Sequence, residues 1–316
     1  MTLRHAGIAV PPMRWLCMSW IHMMSAALVA VAFAAPVQGQ RTVLDSVRPN
    51  DSTVVHTITL TNGSRIVGRI LRVTADSVRI VSSAASTSVS RSTVREVRQY
   101  PASAMRHGEL WSENPHATRL IFAPTGIPLR KGEGYFADFW IFLLSTAVGV
   151  TDRFTIGGGM TLIPGLSIEE NIFYLLPKYT VVDRPTFKFA AGALVAHAGL
   201  NDVASSSESR SLGVLYGVAT TGSRESNLSL GAGWGYVGGT LNEKPVITLG
   251  GQHRVSKRVV LISDNWILPF DGDGSGVISY GIRLIGEKIA VDLALASSPK
   301  KFTFPGYPLL GFAIKY

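Results

Sequence analysis

Between residue 116 and the end of the chain, about twelve runs alternate large apolar residues with Gly, Ala, Ser or Thr. The last run sets Leu310, Phe312, Ile314 and Tyr316 on one face and Gly311, Ala313 and Lys315 on the other. The run before it opposes Ile289, Val291, Leu293 and Leu295 to Ala290, Asp292, Ala294 and Ala296. An earlier one opposes Leu228, Leu230, Ala232, Trp234 and Tyr236 to Ser229, Gly231, Gly233 and Gly235, and the same period runs through 142–150, 154–162, 187–195 and 212–220. A period of two over this many segments predicts strands, because the apolar positions of a helix recur every three or four residues.

Which face is buried decides the class. A soluble sheet would turn its large residues inward and a charged face to water, yet the opposite face here is mostly Gly, Ala and Ser, with scattered charges at Lys188, Arg283, Asp292 and Lys315. Turning the large face to lipid gives the alternation of a transmembrane barrel, with those four charges lining its interior. Aromatics near run ends (Tyr135, Trp140, Tyr174, Tyr179, Trp234, Tyr236, Trp266 and Tyr316) then fall in interfacial girdles. Connection lengths agree. Gaps at 124–134, 164–170, 199–210, 238–245, 269–276 and 298–307 are long, and those at 151–153, 183–185, 222–226, 255–258 and 286–288 are short, in strict alternation. The expectation is an all-β chain over 116–316, an antiparallel transmembrane β-barrel of about 12 strands whose first is 119–122 and whose ends both lie in the periplasm. Ten strands is the fallback, if 119–122 stays outside the barrel and one other run fails.

Residues 40–115 read as a small all-β unit and linker. Ile58 and Leu60 lead into Asn62-Gly63, a hairpin signal because both residues tolerate positive φ. Ile66, Gly68 and Ile70 then alternate with Arg65, Val67 and Arg69, with Gly68 marking a bend, and Asp76-Ser77 precedes another strand. Asn62-Gly63-Ser64 also fits a glycosylation acceptor, but the turn accounts for it. Upstream, 15–35 is an apolar run preceded by Arg14 and followed by small residues, the three regions of a secretory signal peptide over 1–39. Cleavage after Gly39 fits best, and Met13 offers a compact alternative start. The run also has the length of a membrane anchor, but its small-residue tail fits cleavage better.

Composition narrows the class further. With 46% hydrophobic and 16% charged residues the chain is too apolar for disorder and too charge-poor for a coiled coil. The formal net charge of +9 is mild, and the ten Arg against four acids between 40 and 106 come with no aromatic stacking platform, so no nucleic-acid partner is expected. The only cysteine, Cys17, lies in the export segment, which leaves the mature chain without disulfides or a thiolate site. No cofactor is implied.

Export signal, alternating strands and the terminal aromatic together resemble bacterial outer-membrane β-barrel proteins over about 200 residues. The resemblance implies contact with outer-membrane lipid and recognition by the barrel-assembly machinery through Phe312, Ile314 and Tyr316. PTGIPLRKGEGYF (124–136), GVTDRFTIGGGM (149–160) and PKY (177–179) resemble a group of bacterial barrels with no assigned activity. The 54–99 pattern resembles SH3-like or Sm-like small barrels.

Chemistry is sparse. Outer-membrane hydrolases and acyltransferases need a clustered Ser-His or Asp-His set. The histidines outside the export segment are His56, His107, His116, His197 and His253, none in a nucleophile motif, with His197 and His253 on the outward parity. Asp271, Asp273 and Ser275 open like a calcium loop, but Ile282 stands where the closing carboxylate belongs. Gly157 to Gly159 reads as close backbone approach or bending in a strand, and Arg130 and Lys131 as a charged tip of the first long loop, with contact to lipopolysaccharide phosphates the alternative. The expected function is a non-enzymatic pore for small solutes. The alternatives are an anchor whose Arg-rich domain binds a periplasmic partner or the cell wall, and a lipid-modifying enzyme.

Overall fold

The computed structural model describes residues 44–82, 85–198, 211–237, 240–268, 275–300 and 302–316. The expected export segment, its cleavage site, Asp271 and Asp273 lie outside the described residues.

The first sheet is antiparallel, built from β1 (Val54–Leu60), β2 (Arg65–Val73), β3 (Ser77–Val81), β4 (Ser86–Ser90) and β5 (Val94–Pro101) in the order β4-β3-β2-β1-β5. Asn62-Gly63 makes the β1–β2 turn as expected, with Gly63 at φ 85° and the Asn62 side chain accepting the Ser64 N–H at 2.9 Å. Ile58, Ile70, Val78, Ile80 and Val97 form its core. Gly68 lets the end of β3 cross β2, because a Cβ there would lie 2.2 Å from the Val81 carbonyl oxygen.

After two short strands, β6 (Met105–Arg106) and β7 (Glu109–Leu110), the chain enters the barrel. Its staves are β8 (Gly134–Phe139), β9 (Leu143–Gly149), β10 (Phe154–Thr161), β11 (Ile172–Asp183), β12 (Phe187–Ala198), β13 (Ser211–Gly222) and β14 (Ser226–Val237). A two-residue strand, β15 (Thr240–Leu241), pairs antiparallel with the end of β14 before β16 (Val246–Arg254), β17 (Val259–Ile267), β18 (Gly276–Ile285), β19 (Ile289–Ser297) and β20 (Tyr307–Lys315) complete the wall. Each stave pairs with the next, and β20 returns to β8, so twelve antiparallel strands close the barrel.

The faces are those the alternation predicts. Leu228, Leu230, Leu249, Leu261, Leu293 and Leu310 point outward and are about half exposed. Such a belt is far larger than the apolar patches of soluble proteins, and lipid is the solvent that removes its cost. No helix among the described residues is long and apolar enough to cross a membrane.

Twelve is the expected number, but one stave was assigned differently. Residues 119–122 are not in the wall. The missing strand comes instead from splitting 134–149 into β8 and β9 at a tight turn with Trp140 at φ 53° and Ile141 at φ 70°. That turn is short and shares its end of the barrel with the long loops, so the strict alternation of gap lengths has one exception. The first sheet lies at the opposite, short-turn end, where Arg65 and Arg98 pair with Glu287 of the β18–β19 turn.

Candidate functional site

Residues 114–129, which the alternation pattern divides between a first stave and an external loop, run inside the barrel and are almost entirely buried. They form a hairpin: Leu120 N–H donates to Ala123 O at 2.8 Å and Thr125 N–H to Thr118 O at 3.0 Å. A backbone buried away from a sheet must find other partners, and here inward side chains of the wall supply them. Lys178 Nζ of β11 donates to the carbonyls of Thr118, Thr125 and Ile127 at 3.2, 2.9 and 2.8 Å. Asp264 Oδ2 of β17 accepts the N–H groups of Phe122 and Ala123 at 2.6 and 2.8 Å. Thr220 accepts from Gly126 N–H at 2.7 Å and Thr155 from Leu129 N–H at 3.2 Å.

Arg283 of β18 completes the clamp. Its Nε and Nη2 grip both oxygens of Asp292 at 2.6 and 2.9 Å, while the same guanidinium donates to the carbonyls of His116 and Leu120 and to Gln252. At the short-turn rim, Arg254 binds Ser112 O at 2.7 Å and Glu225 at 2.5 Å, and Glu225 accepts Asn114 N–H at 2.9 Å. Arg224 reaches Pro128 O at 2.8 Å and, like Lys315, pairs with Glu133, at 3.4 and 2.8 Å. Burial alone would raise the Glu133 carboxyl, but Arg224 and Lys315 outweigh it and hold it down to about 2. Two glycines make room: Leu120 packs where a Cβ of Gly250 would lie, and the Arg130 carbonyl crosses Gly149 at a distance no Cβ would tolerate.

The hairpin fills one side of the lumen, with Leu120, Ile121 and Phe122 packed against Phe139, Ile262, Ala294 and Leu309. Between it and the β9–β14 wall lies a cavity of about 420 Å³ that extends toward the long-loop end. Leu143, Leu176, Leu194, Val214 and Val246 line its apolar walls, and Arg119 enters it from the hairpin.

The expected interior charges all take the inward parity, but none lines this cavity. Arg283 and Asp292 meet each other and the hairpin, Lys315 meets Glu133, and Lys188 donates to Arg184 O at 2.8 Å. The room that inward Gly, Ala and Ser leave is in part taken by the hairpin rather than by an open passage. Arg130 and Lys131 are corrected too. They stand at the short-turn end, where Lys131 N–H donates to Asp152 of the β9–β10 turn at 3.0 Å, away from the long loops. Among the expected girdle aromatics, Tyr135, Tyr174 and Trp266 face the cavity, whereas Trp140, Tyr179 and Trp234 are outward and exposed.

His197 and His253 lie on the outer surface near opposite ends of the barrel and form no common site. No group of metal-binding side chains occurs among the described residues. The terminal strand carries Phe312 and Ile314 outward, with Phe312 beside Phe136 at 6.3 Å and Tyr316 N–H donating to Gly134 O at 2.9 Å.

Lys178, Asp264 and Arg119 are functional candidates that the alternation alone passes over. Two signals point to the hairpin and to the first two of these residues. Pro115, Pro124 and Pro128 crowd one short stretch, which a central stave does not tolerate, and Lys178 and Asp264 are charges on otherwise small or apolar inward faces.

No protein-family model matches the sequence, and no curated protein aligns with it. Among solved structures, the chain aligns with a KdgM porin in complex with disordered oligogalacturonate at 6% identity and TM-score 0.39, covering 58% of this chain and 95% of that one. It aligns with a NanC porin at 8% identity and TM-score 0.35, covering 58% and 97%. Outer-membrane expressed OmpT of Vibrio cholerae aligns at 9% identity and TM-score 0.30, covering 84% and 95%. Likenesses this slight carry no argument, and the barrel stands on its own strand pairing.

Proposed function

We propose that the protein is a non-enzymatic outer-membrane barrel acting as a gated transport element for small solutes, closed at rest by the 114–129 hairpin. The observation that carries this reading is the way the hairpin is held. Its backbone is tied to the wall by side-chain hydrogen bonds from Lys178, Asp264 and Arg283 rather than by a β-ladder. Bonds of this kind exchange with water at modest net cost, so the hairpin has the fastening of a movable part. On this reading the short-turn end and the first sheet face the periplasm. The cavity on the other side then marks the route by which a solute reaches the hairpin.

Planar-bilayer recording tests it. The intact protein is expected to stay closed for most of the record. Loosening the hairpin with Lys178→Met and Asp264→Ala together is expected to raise the open fraction roughly ten-fold or more, since about 1.4 kcal/mol is a factor of ten. A folded double variant that never conducts would sink the transport reading.

The anchor reading keeps one specific support. Arg72 and Arg79 stand directly opposite each other on β2 and β3, both exposed, and like charges in that position repel. An anionic periplasmic partner or cell-wall polymer would relieve the repulsion. Capture of such a partner by the full chain, lost in Arg72→Ser/Arg79→Ser, is the outcome that would favour it.

A further inference from the structure

The cationic side chains that anchor the hairpin are all matched. Arg283 has Asp292, Arg254 has Glu225, Arg224 and Lys315 share Glu133, and Lys178 has three carbonyls. Arg119 is not. Its Nε donates to His116 Nε2 at 3.2 Å and its guanidinium carbon sits 3.9 Å over the Phe139 ring, but among the described residues no carboxylate lies within ion-pair distance. Among the described residues its two terminal nitrogens make no hydrogen bond, and the group opens into the apolar cavity. Beside it on the cavity wall, the buried hydroxyls of Thr118 and Ser145 also have no partner.

Asp264 and Asp292 act on Arg119 only from beyond ion-pair distance, and a cation in apolar surroundings without a direct partner is costly unless something pairs with it. A small inorganic anion would satisfy Arg119 but not explain the walls of leucine and valine around it. A neutral hydrocarbon would fill those walls but leave the guanidinium bare. Both features are met by one class of molecule, and the volume of about 420 Å³ falls within the range of small-molecule sites. We infer that the cavity binds an amphipathic carboxylate, with its anionic head on the free edge of Arg119 and its apolar body along β9, β11, β12, β13 and β16. The planar guanidinium suits the two oxygens of a carboxylate, which a lysine there would engage only as a point charge. Binding needs no transport, so the inference goes beyond the gating reading, although a head group seated near the hairpin tip would act on the gate.

Undecanoate brominated at its far end is the probe, because Trp266 lines the cavity and bromine quenches indole fluorescence. The full chain is reconstituted in phosphatidylcholine vesicles at about pH 8. Quenching by the brominated acid is expected to contain a saturable component that Trp266→Phe removes. Plain undecanoate is expected to displace it, while acetate and undecanol do so at least about ten-fold more weakly. Arg119→Gln is expected to weaken undecanoate at least about ten-fold and leave undecanol unchanged. Leu194→Trp, which narrows the cavity from the β12 wall, is expected to weaken both, and retention of the unboiled gel band verifies that each variant keeps its barrel. Undecanoate binding that is unaltered in folded Arg119→Gln or in folded Leu194→Trp, acetate competing as well as undecanoate, or no saturable component in the parent protein would each overturn the inference. A protein that binds undecanoate but never conducts leaves the inference standing and removes the transport reading; conduction without binding does the reverse.

Discussion

Asp264 shows how much a single inward side chain carries. One of its oxygens accepts two consecutive backbone N–H groups at the hairpin tip, those of Phe122 and Ala123. Asp264→Ala strands both donors in a buried site, at about 1–3 kcal/mol each before water enters. Hydrogen exchange in peptides spanning 118–125 is therefore expected to rise by one to two orders of magnitude while β12 and β13 stay protected, and unchanged exchange would disprove the anchoring role. Glu133 adds a dependence on pH at the rim. Its pKa is held down to about 2 against an ordinary 4.5, so the folded carboxylate is favoured and its contribution is complete above about 4.5. That contribution is lost as pH falls from about 4.5 through about 2, and solvent screening at the rim keeps it well below the full linkage value of roughly 3 kcal/mol. Acid titration of the thermal midpoint in detergent is expected to fall over that window in the parent protein. In Glu133→Gln the same segment of the curve should be flatter.

At the scale of elements, the barrel wall depends on tyrosines lying over glycines of the neighbouring strand. Tyr174 of β11 faces Gly159 of β10, and Tyr216 of β13 faces Gly192 of β12, each pair in direct register. A Cβ on Gly159 would meet the Leu144 carbonyl at 1.9 Å and the Tyr174 hydroxyl at 2.6 Å, so backbone as well as side chain would have to move. Gly159→Ala should therefore lower the temperature at which the unboiled band is lost, by more than Gly217→Ala, whose Cβ would meet only the Phe189 ring, at 3.3 Å. The outward faces of β14, β19 and β20 are legible from the alternation alone, because lipid demands apolar residues at every second position and nothing else in the sequence does. The β8–β9 turn is not legible, since Trp140 and Ile141 adopt positive φ without the Gly, Asn or Asp that announces such a turn. The hairpin is masked for a different reason. A segment buried on every side reads as an apolar run such as Leu120-Ile121-Phe122, and periodicity cannot separate that from a stave. Its prolines could have, and the inward charges Lys178 and Asp264, as useful against a buried backbone as in a water-filled lumen, agree with them. Arg119 was beyond reach, because only the fold reveals which arginine has no acid beside it.

For the whole molecule, the question is what holds the closing seam. β8 is the shortest of the twelve staves at six residues, and its pairing with β20 runs only from Tyr135 to Phe139, whereas β12 and β13 pair from Phe187 to His197. With one further hydrogen bond at each end, Tyr316 N–H to Gly134 O and Trp140 N–H to Leu310 O, the ladder at the seam is the shortest in the wall, and the hairpin adds apolar support to it. Leu129 packs with Tyr135, Ala137, Ala147 and Ala313, while Leu120 and Ile121 pack with Phe139 and Leu309, so both strands of the seam are buttressed from inside. The plug is then also the core of that side of the barrel, and gating has a limit: a hairpin that left altogether would take the seam's apolar support with it. Local stability follows such buried contacts. In the parent protein, amides of 135–139 and 309–315 are expected to exchange sooner than those of 187–197, but far later than those of the loops. In the Lys178→Met/Asp264→Ala variant, seam exchange should accelerate together with that of 118–125, leaving β12 and β13 as they were. Acceleration of the hairpin without the seam would instead mean that β8 and β20 hold each other unaided. In that case complete expulsion of the hairpin becomes a permissible open state, and a shift within the lumen is no longer required.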